Sequence, residues 1–106
     1  MDALRLSTVR CDGTVTVTVA GELDIATTGH LRAHVAHALA NGRWSRLVLD
    51  VSGVSFIGAD GLGVMIALQR LAHSQHTALY LAGVTPNLLR LLKITHLEGH
   101  FRCAGP

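Results

Sequence analysis

Phe56-Ile57-Gly58-Ala59-Asp60-Gly61-Leu62-Gly63-Val64 is the stretch on which the fold turns. Ahead of it, Arg46-Leu47-Val48-Leu49-Asp50-Val51 is a short apolar run rich in branched residues, which suits a buried strand. Behind it, residues 62–71 are apolar on most sides and free of Pro, which suits a buried helix. The stretch between them reads as a strand-to-helix loop with three glycines, an exposed apolar pair (Phe56 and Ile57) and one carboxylate. Asp60 falls where a helix N-cap would sit, with free backbone N–H groups just after it. Gly61 and Gly63 each weaken the first helical turn by roughly 1 kcal/mol relative to Ala. A chain that accepts that cost needs close backbone approach or unusual dihedrals there. Function is expected at this loop.

Working outward toward the N-terminus, residues 4–10 read as an edge strand, and Asp12-Gly13 is a strong hairpin signal. Thr14-Val15-Thr16-Val17-Thr18-Val19 alternates strictly, with the valines toward a core and the threonines away from it. Gly21-Glu22-Leu23-Asp24 ends that strand, and its two acids suit the positive end of a following helix. That helix is expected from residue 26 or 27 to about 40, with Leu31, Val35, Ala38 and Leu39 on one side and Asn41-Gly42 as its stop. Toward the C-terminus, Ser74-Gln75-His76 reads as a turn and residues 78–82 as a strand. Thr85 and Pro86 are a favoured N-cap and first helical residue, and Leu88, Leu89, Leu91, Leu92 and Ile94 are expected to form that helix's buried side. A short last strand is expected within residues 100–103.

The order β-β-α-β-α-β-α-β predicts an α/β fold. It is a small mixed sheet with an N-terminal antiparallel hairpin followed by parallel strands, its helices mainly on one face. At 106 residues this is one domain, 1–106, with a modest core. Hydrophobic residues make up 49% and charged residues 15%, which excludes a disordered chain. No apolar run approaches the roughly 18 residues of a membrane span, and Met1-Asp2-Ala3-Leu4-Arg5 is no secretory signal, so the expected location is cytoplasmic with no membrane partner. A net charge of +2 with scattered basic residues gives no reason to expect nucleic acid. Cys11 and Cys103 lack metal-ligand spacing and are expected as free thiols.

Three chemistries are weighed against the motifs. Gly58-x-x-Gly61-x-Gly63 is neither the dinucleotide fingerprint nor a P-loop, since Val64 and Met65 follow its last Gly, and a carboxylate among the amides repels phosphate. His30, His34 and His37 form one stripe on the first helix and could ligate zinc, but no fourth ligand accompanies them, so a solvated face is preferred and no metal or cofactor is expected. No serine has a nucleophile-elbow setting and no carboxylate pair is positioned for acid–base work, so the chain is not expected to be an enzyme. Asp50 is read as an end-of-strand residue that hydrogen-bonds the next loop.

Gly21-Glu22-Leu23-Asp24, the run from Leu47 through Asp50-Val51-Ser52-Gly53-Val54-Ser55 to Phe56-Ile57, and Gly61-Leu62-Gly63-Val64 together resemble the STAS domain of bacterial anti-sigma factor antagonists, from about Leu4 to Arg102. The resemblance implies a partner: an anti-sigma factor that is also a serine kinase of the histidine-kinase-like ATPase type. It implies a switch in which that kinase phosphorylates a Ser or Thr just before the central helix. On this view Glu22, Asp24, Phe56, Ile57, Gly58, Ala59, Asp60, Gly61, Leu62 and Gly63 are the expected partner-binding residues, in one continuous patch. The chain departs from the family pattern where Asp-Ser-Ser-Gly or Asp-Ser-Thr-Gly becomes Gly58-Ala59-Asp60-Gly61. Asp60 then stands at the phosphoacceptor position, where no serine kinase can act, so the switch is expected to be lost or mimicked. A C-terminal helix common in the family has no counterpart after Cys103, and a second subunit, making a homodimer, is one expected cover for the bared flank. The rival expectations are a STAS subunit of a transporter-associated or stressosome-like complex, and a small-ligand sensor.

Overall fold

Asp12 and Gly13 both adopt positive φ, 49° and 77°. That is the dihedral pair of a two-residue turn whose twist matches the flanking strands. It joins β1 (Arg5–Cys11) to β2 (Thr14–Leu23) in an antiparallel hairpin. The computed structural model describes residues 4–40 and 42–104. Asn41, read as half of the first helix's stop, lies outside them, as do Met1, Asp2 and Ala3 of the N-terminal reading and Gly105 and Pro106. The remaining elements are α1 (Thr28–Ala40), β3 (Arg46–Ile57), α2 (Ala59–Ser74), β4 (Ala78–Ala82), α3 (Pro86–Ile94), a single 3-10 turn (Glu98–His100) and β5 (Arg102–Cys103).

The five strands lie side by side in chain order, β1-β2-β3-β4-β5, antiparallel in the first pair and parallel thereafter. Register sorts the two faces. Val15, Leu47 and Leu79 form one buried row, and Val17, Leu49 and Leu81 the next. On these rows lie Leu31, Val35 and Leu39 of α1, Met65 and Leu68 of α2, and Leu88 and Leu92 of α3, in one continuous core. The opposite face carries Thr16, Val48 and Tyr80 in register, all half-exposed, with Arg46 and Arg102 over the Tyr80 ring. The mixed sheet with its helices on one face is therefore present as expected.

Three local expectations are corrected. First, β3 does not stop near Val51 but runs on to Ile57, paired with the end of β2, which closes at Leu23 as read. Two register shifts, at residues 18–20 and 21–22 of β2, let the two strands stay paired, and Gly53 allows the close approach, because a Cβ there would lie 2.9 Å from that of Ala20. Ser52 thus lies in the first irregularity and Gly53 is paired with Ala20 just beyond it, inside the strand rather than past its end. Second, Asp50 does bond onward, its Oδ1 accepting from Ser52 N (3.0 Å) and Ser52 Oγ (2.7 Å), but within a continuing strand. Third, α3 buries only Leu88 and Leu92, while Leu89 and Ile94 are exposed. Its start is as read, with Thr85 Oγ1 accepting from Leu88 N at 3.2 Å and Pro86 in the first turn.

Candidate functional site

Because β2 and β3 stay paired to their ends, Glu22 lies beside Phe56 and Leu23 beside Ile57. The Gly58 N–H donates to Leu23 O at 3.2 Å, and the Gly58 carbonyl then accepts from Gly61 N (3.0 Å) and Leu62 N (3.2 Å). The strand therefore becomes a helix across a single residue, and the expected loop is absent. Gly58, extended at φ −100°, is the N-cap, and no side chain caps this helix. Asp60 is corrected from N-cap to second residue of α2, because the helix opens two residues earlier than its glycines suggest. The Asp60 side chain is exposed and makes no hydrogen bond or ion pair among the described residues.

Gly61 explains why the helix tolerates glycine there. A Cβ at Gly61 would sit 2.6 Å from Ile57 Cγ1 and 3.0 Å from Leu23 O, so the helix can lie on the strand ends only without one. Gly63 faces open space, with nothing within 4 Å of such a Cβ.

Asp24 organises the turn from β2 into α1. Its Oδ1 accepts from Ala26 N at 2.9 Å. Thr27 answers it: Thr27 Oγ1 accepts from Asp24 N at 3.0 Å and donates to Glu22 O at 2.9 Å. Sequence reasoning had Thr27 only as a possible start of the helix and did not foresee its bonds to Asp24 N and Glu22 O. It also missed Ile25, which is 76% exposed.

Of the ten residues singled out in sequence, Glu22, Phe56, Ala59, Asp60 and Gly63 are exposed, and Asp24, Ile57 and Gly58 are half-buried. Gly61 and Leu62 face the core and offer a partner no side-chain surface. The exposed set gathers at one end of the sheet, with three carboxylates (Glu22, Asp24, Asp60) beside two apolar side chains (Ile25, Phe56). Such a surface suits a basic and apolar counterpart.

The histidine stripe is partly enclosed, against the expectation of a solvated face. His34 Nε2 lies 2.6 Å from Thr8 Oγ1 of β1, hydrogen-bonded. Burial holds the His34 pKa below its ordinary value, helped by His30, His37 and Arg10. Among the described residues no group of three His, Cys, Asp or Glu is arranged to hold a metal ion. Cys11 and Cys103 are free and exposed. No helix among the described residues is long and apolar enough to cross a membrane.

Comparison with known proteins places this geometry. A family model described as Mlab, STAS domain, matches residues 6–102. The chain is 27% identical over 85 residues to an anti-sigma F factor antagonist of Paenibacillus polymyxa, across 80% of this chain and 73% of the relative. It is 27% identical over 95 residues to an anti-sigma-B factor antagonist of Staphylococcus aureus, across 90% of this chain and 87% of the relative. The crystal structure of an anti-sigma factor antagonist from Mycobacterium paratuberculosis superposes with a TM-score of 0.84 at 25% identity, covering 98% of this chain and 87% of that one.

Proposed function

The chain belongs to the STAS domain family, whose model spans residues 6–102, and from that premise we propose that it acts as an anti-sigma factor antagonist, a non-catalytic module that binds an anti-sigma factor of the serine-kinase type. Its binding surface is the joint end of β2 and β3 with the first turn of α2. Glu22, Asp24, Phe56, Ala59 and Asp60 make the contacts, and Ile57, Gly58, Gly61, Leu62 and Gly63 set the backbone beneath them.

The observation that carries this reading is the state of Asp60. Its carboxylate is exposed and unpartnered at the position where the family carries a phosphoacceptor hydroxyl. A fixed carboxylate there resembles the phosphorylated form in sign but carries one charge where phosphate carries about −1.5 to −2. Desolvating it against a kinase surface costs several kcal/mol unless that surface supplies a partner. The proposed consequence is an antagonist held permanently toward its weaker-binding form.

Kinase affinity of wild-type and Asp60→Ser, measured at two salt concentrations, tests this. Asp60→Ser is expected to bind at least about tenfold more tightly, which is about 1.4 kcal/mol, and to take label from ATP, while wild-type stays unlabelled. Equal affinities would remove the mimicry. Label on Ser52 or Ser55 in wild-type would show that the phosphoacceptor has moved along β3.

A further inference from the structure

β3 is paired with β2 to its end, but β4 pairs only with the first part of β3, from Arg46↔Ala78 to Asp50↔Ala82. The chain then leaves the sheet at Gly83, where φ is 67° and the backbone lies against Ser52. Beyond that point, residues 53–57 of β3 have no strand on the β4 side among the described residues. A groove of about 380 Å³ lies there instead, with Phe56 and Ile57 on one wall and Thr85, Arg90, Leu91 and Ile94 on the other.

Three features define what fits it. An unpaired strand edge is a template for another extended backbone. Natural folds blunt such edges with charge or Pro, yet Gly53, Val54, Ser55, Phe56 and Ile57 include neither. The groove walls present apolar side chains, Phe56 at 53% and Ile94 at 66% exposure. Arg90 is the sole charged residue lining it and has no ion-pair partner among the described residues. Arg90 and Ile94 are four residues apart on α3, about 6 Å along the axis. That is close to the roughly 6.7 Å between same-face residues of a strand.

We infer that this groove takes an extended segment of the partner protein as an added strand along residues 53–57, with an acidic and an apolar side chain on the face that meets Arg90 and Ile94. A second copy of this chain is the wrong occupant, because its outer strands bring Arg5, Arg10 or Arg102 rather than a carboxylate. The occupant presupposes the interaction-module reading above and assigns the partner a chemistry on the α3 side of the site.

The probe is a blocked hexapeptide, valine–threonine–glutamate–threonine–valine–threonine, which puts its acid and valines on one face and its threonines on the other. With the full chain at millimolar peptide, residue-resolved hydrogen exchange is expected to slow at least tenfold within residues 53–57 and not along β1. Arg90→Glu is expected to weaken peptide binding at least tenfold without moving the melting temperature, since Arg90 is exposed. Two further peptides carry N-methyl groups on alternate amides, one set for each backbone edge. Strand addition requires one of them to bind and the other to fail. Equal binding of both, as for side-chain or helical docking, overturns the inference, and so does protection elsewhere or none at all. If these effects fail while kinase capture persists, the added strand alone is wrong. If kinase capture fails while the peptide still pairs at residues 53–57, the functional reading is wrong and the strand site stands.

Discussion

Gly61 and Gly63 share one helical turn and answer to different neighbours. Gly61→Ala forces a methyl group into Ile57 and the Leu23 carbonyl. The strain of about 1–3 kcal/mol outweighs the roughly 1 kcal/mol gained in helix propensity, so urea denaturation should show net destabilisation. Gly63→Ala meets nothing and should stabilise by up to about 1 kcal/mol. A Gly63→Ala variant that is more stable yet binds the kinase less well would place Gly63 against the partner. Asp60→Ala should cost only the roughly 0.3–1 kcal/mol of an acid in the first helical turn, because there is no cap bond to lose. A larger fall in melting temperature would mean that Asp60 caps the helix after all. The local chemistry of Asp60 was legible in sequence, but its place in the helix was not. Glycines at three of the positions from 58 to 63 argued against helix there, whereas contact with Leu23 and Ile57, distant in sequence or hidden by a bulge, makes one of them obligatory.

Helix ends carry two histidines in an unusual role. At the end of α2, His76 has φ 59°, with Thr77 N donating to Ala72 O (2.9 Å) and His76 N to His73 O (3.0 Å). At the end of α3, His96 has φ 60°, with Leu97 N donating to Leu92 O (2.8 Å) and His96 N to Lys93 O (3.2 Å). Both are Schellman caps with histidine where glycine is usual. A side chain in this left-handed conformation costs roughly 1–2 kcal/mol, part of which glycine returns as unfolded-chain entropy. His76→Gly and His96→Gly should each raise stability by about 0.5–1 kcal/mol, readable as higher melting temperatures. Packing of α1 on β1 adds a pH response. The folded chain holds His34 below the 6.5 at which it titrates when unfolded, so the unfolded state binds more protons in that window. Stability from neutral His34 is complete above 6.5 and is lost as pH falls from there through the lower folded value. Melting temperature should drop on acidification across this range, and His34→Gln should flatten that slope. Element types and order were readable from periodicity and turn chemistry, and β4 and the start of α3 fall where their residues put them. The second half of β3 was hidden because it looks like a loop until the end of β2 is laid beside it through two register shifts.

At the scale of the molecule, side chains from β2, β3, β4 and all three helices meet in one core, so unfolding should be a single cooperative transition with calorimetric and van't Hoff enthalpies equal. Within it, amides of the buried rows around Val17 and Leu49 should exchange only on global unfolding, while β5 and the 3-10 turn, two and three residues long, open first. Two separate thermal steps would break that picture. The strand order has a consequence for how such a chain is made. Since β1 to β5 lie in the sheet in the order in which a ribosome releases them, every newly emerged strand docks on the outer edge of what has already formed. None has to be threaded between two earlier neighbours, and each waits only for the strand next in sequence to complete its pairing. The domain can be laid down like courses of brick, the N-terminal hairpin first, and a nascent chain halted after α2 already contains the ends of β2 and β3 that carry Glu22 and Phe56, and the first turn of α2 that carries Asp60.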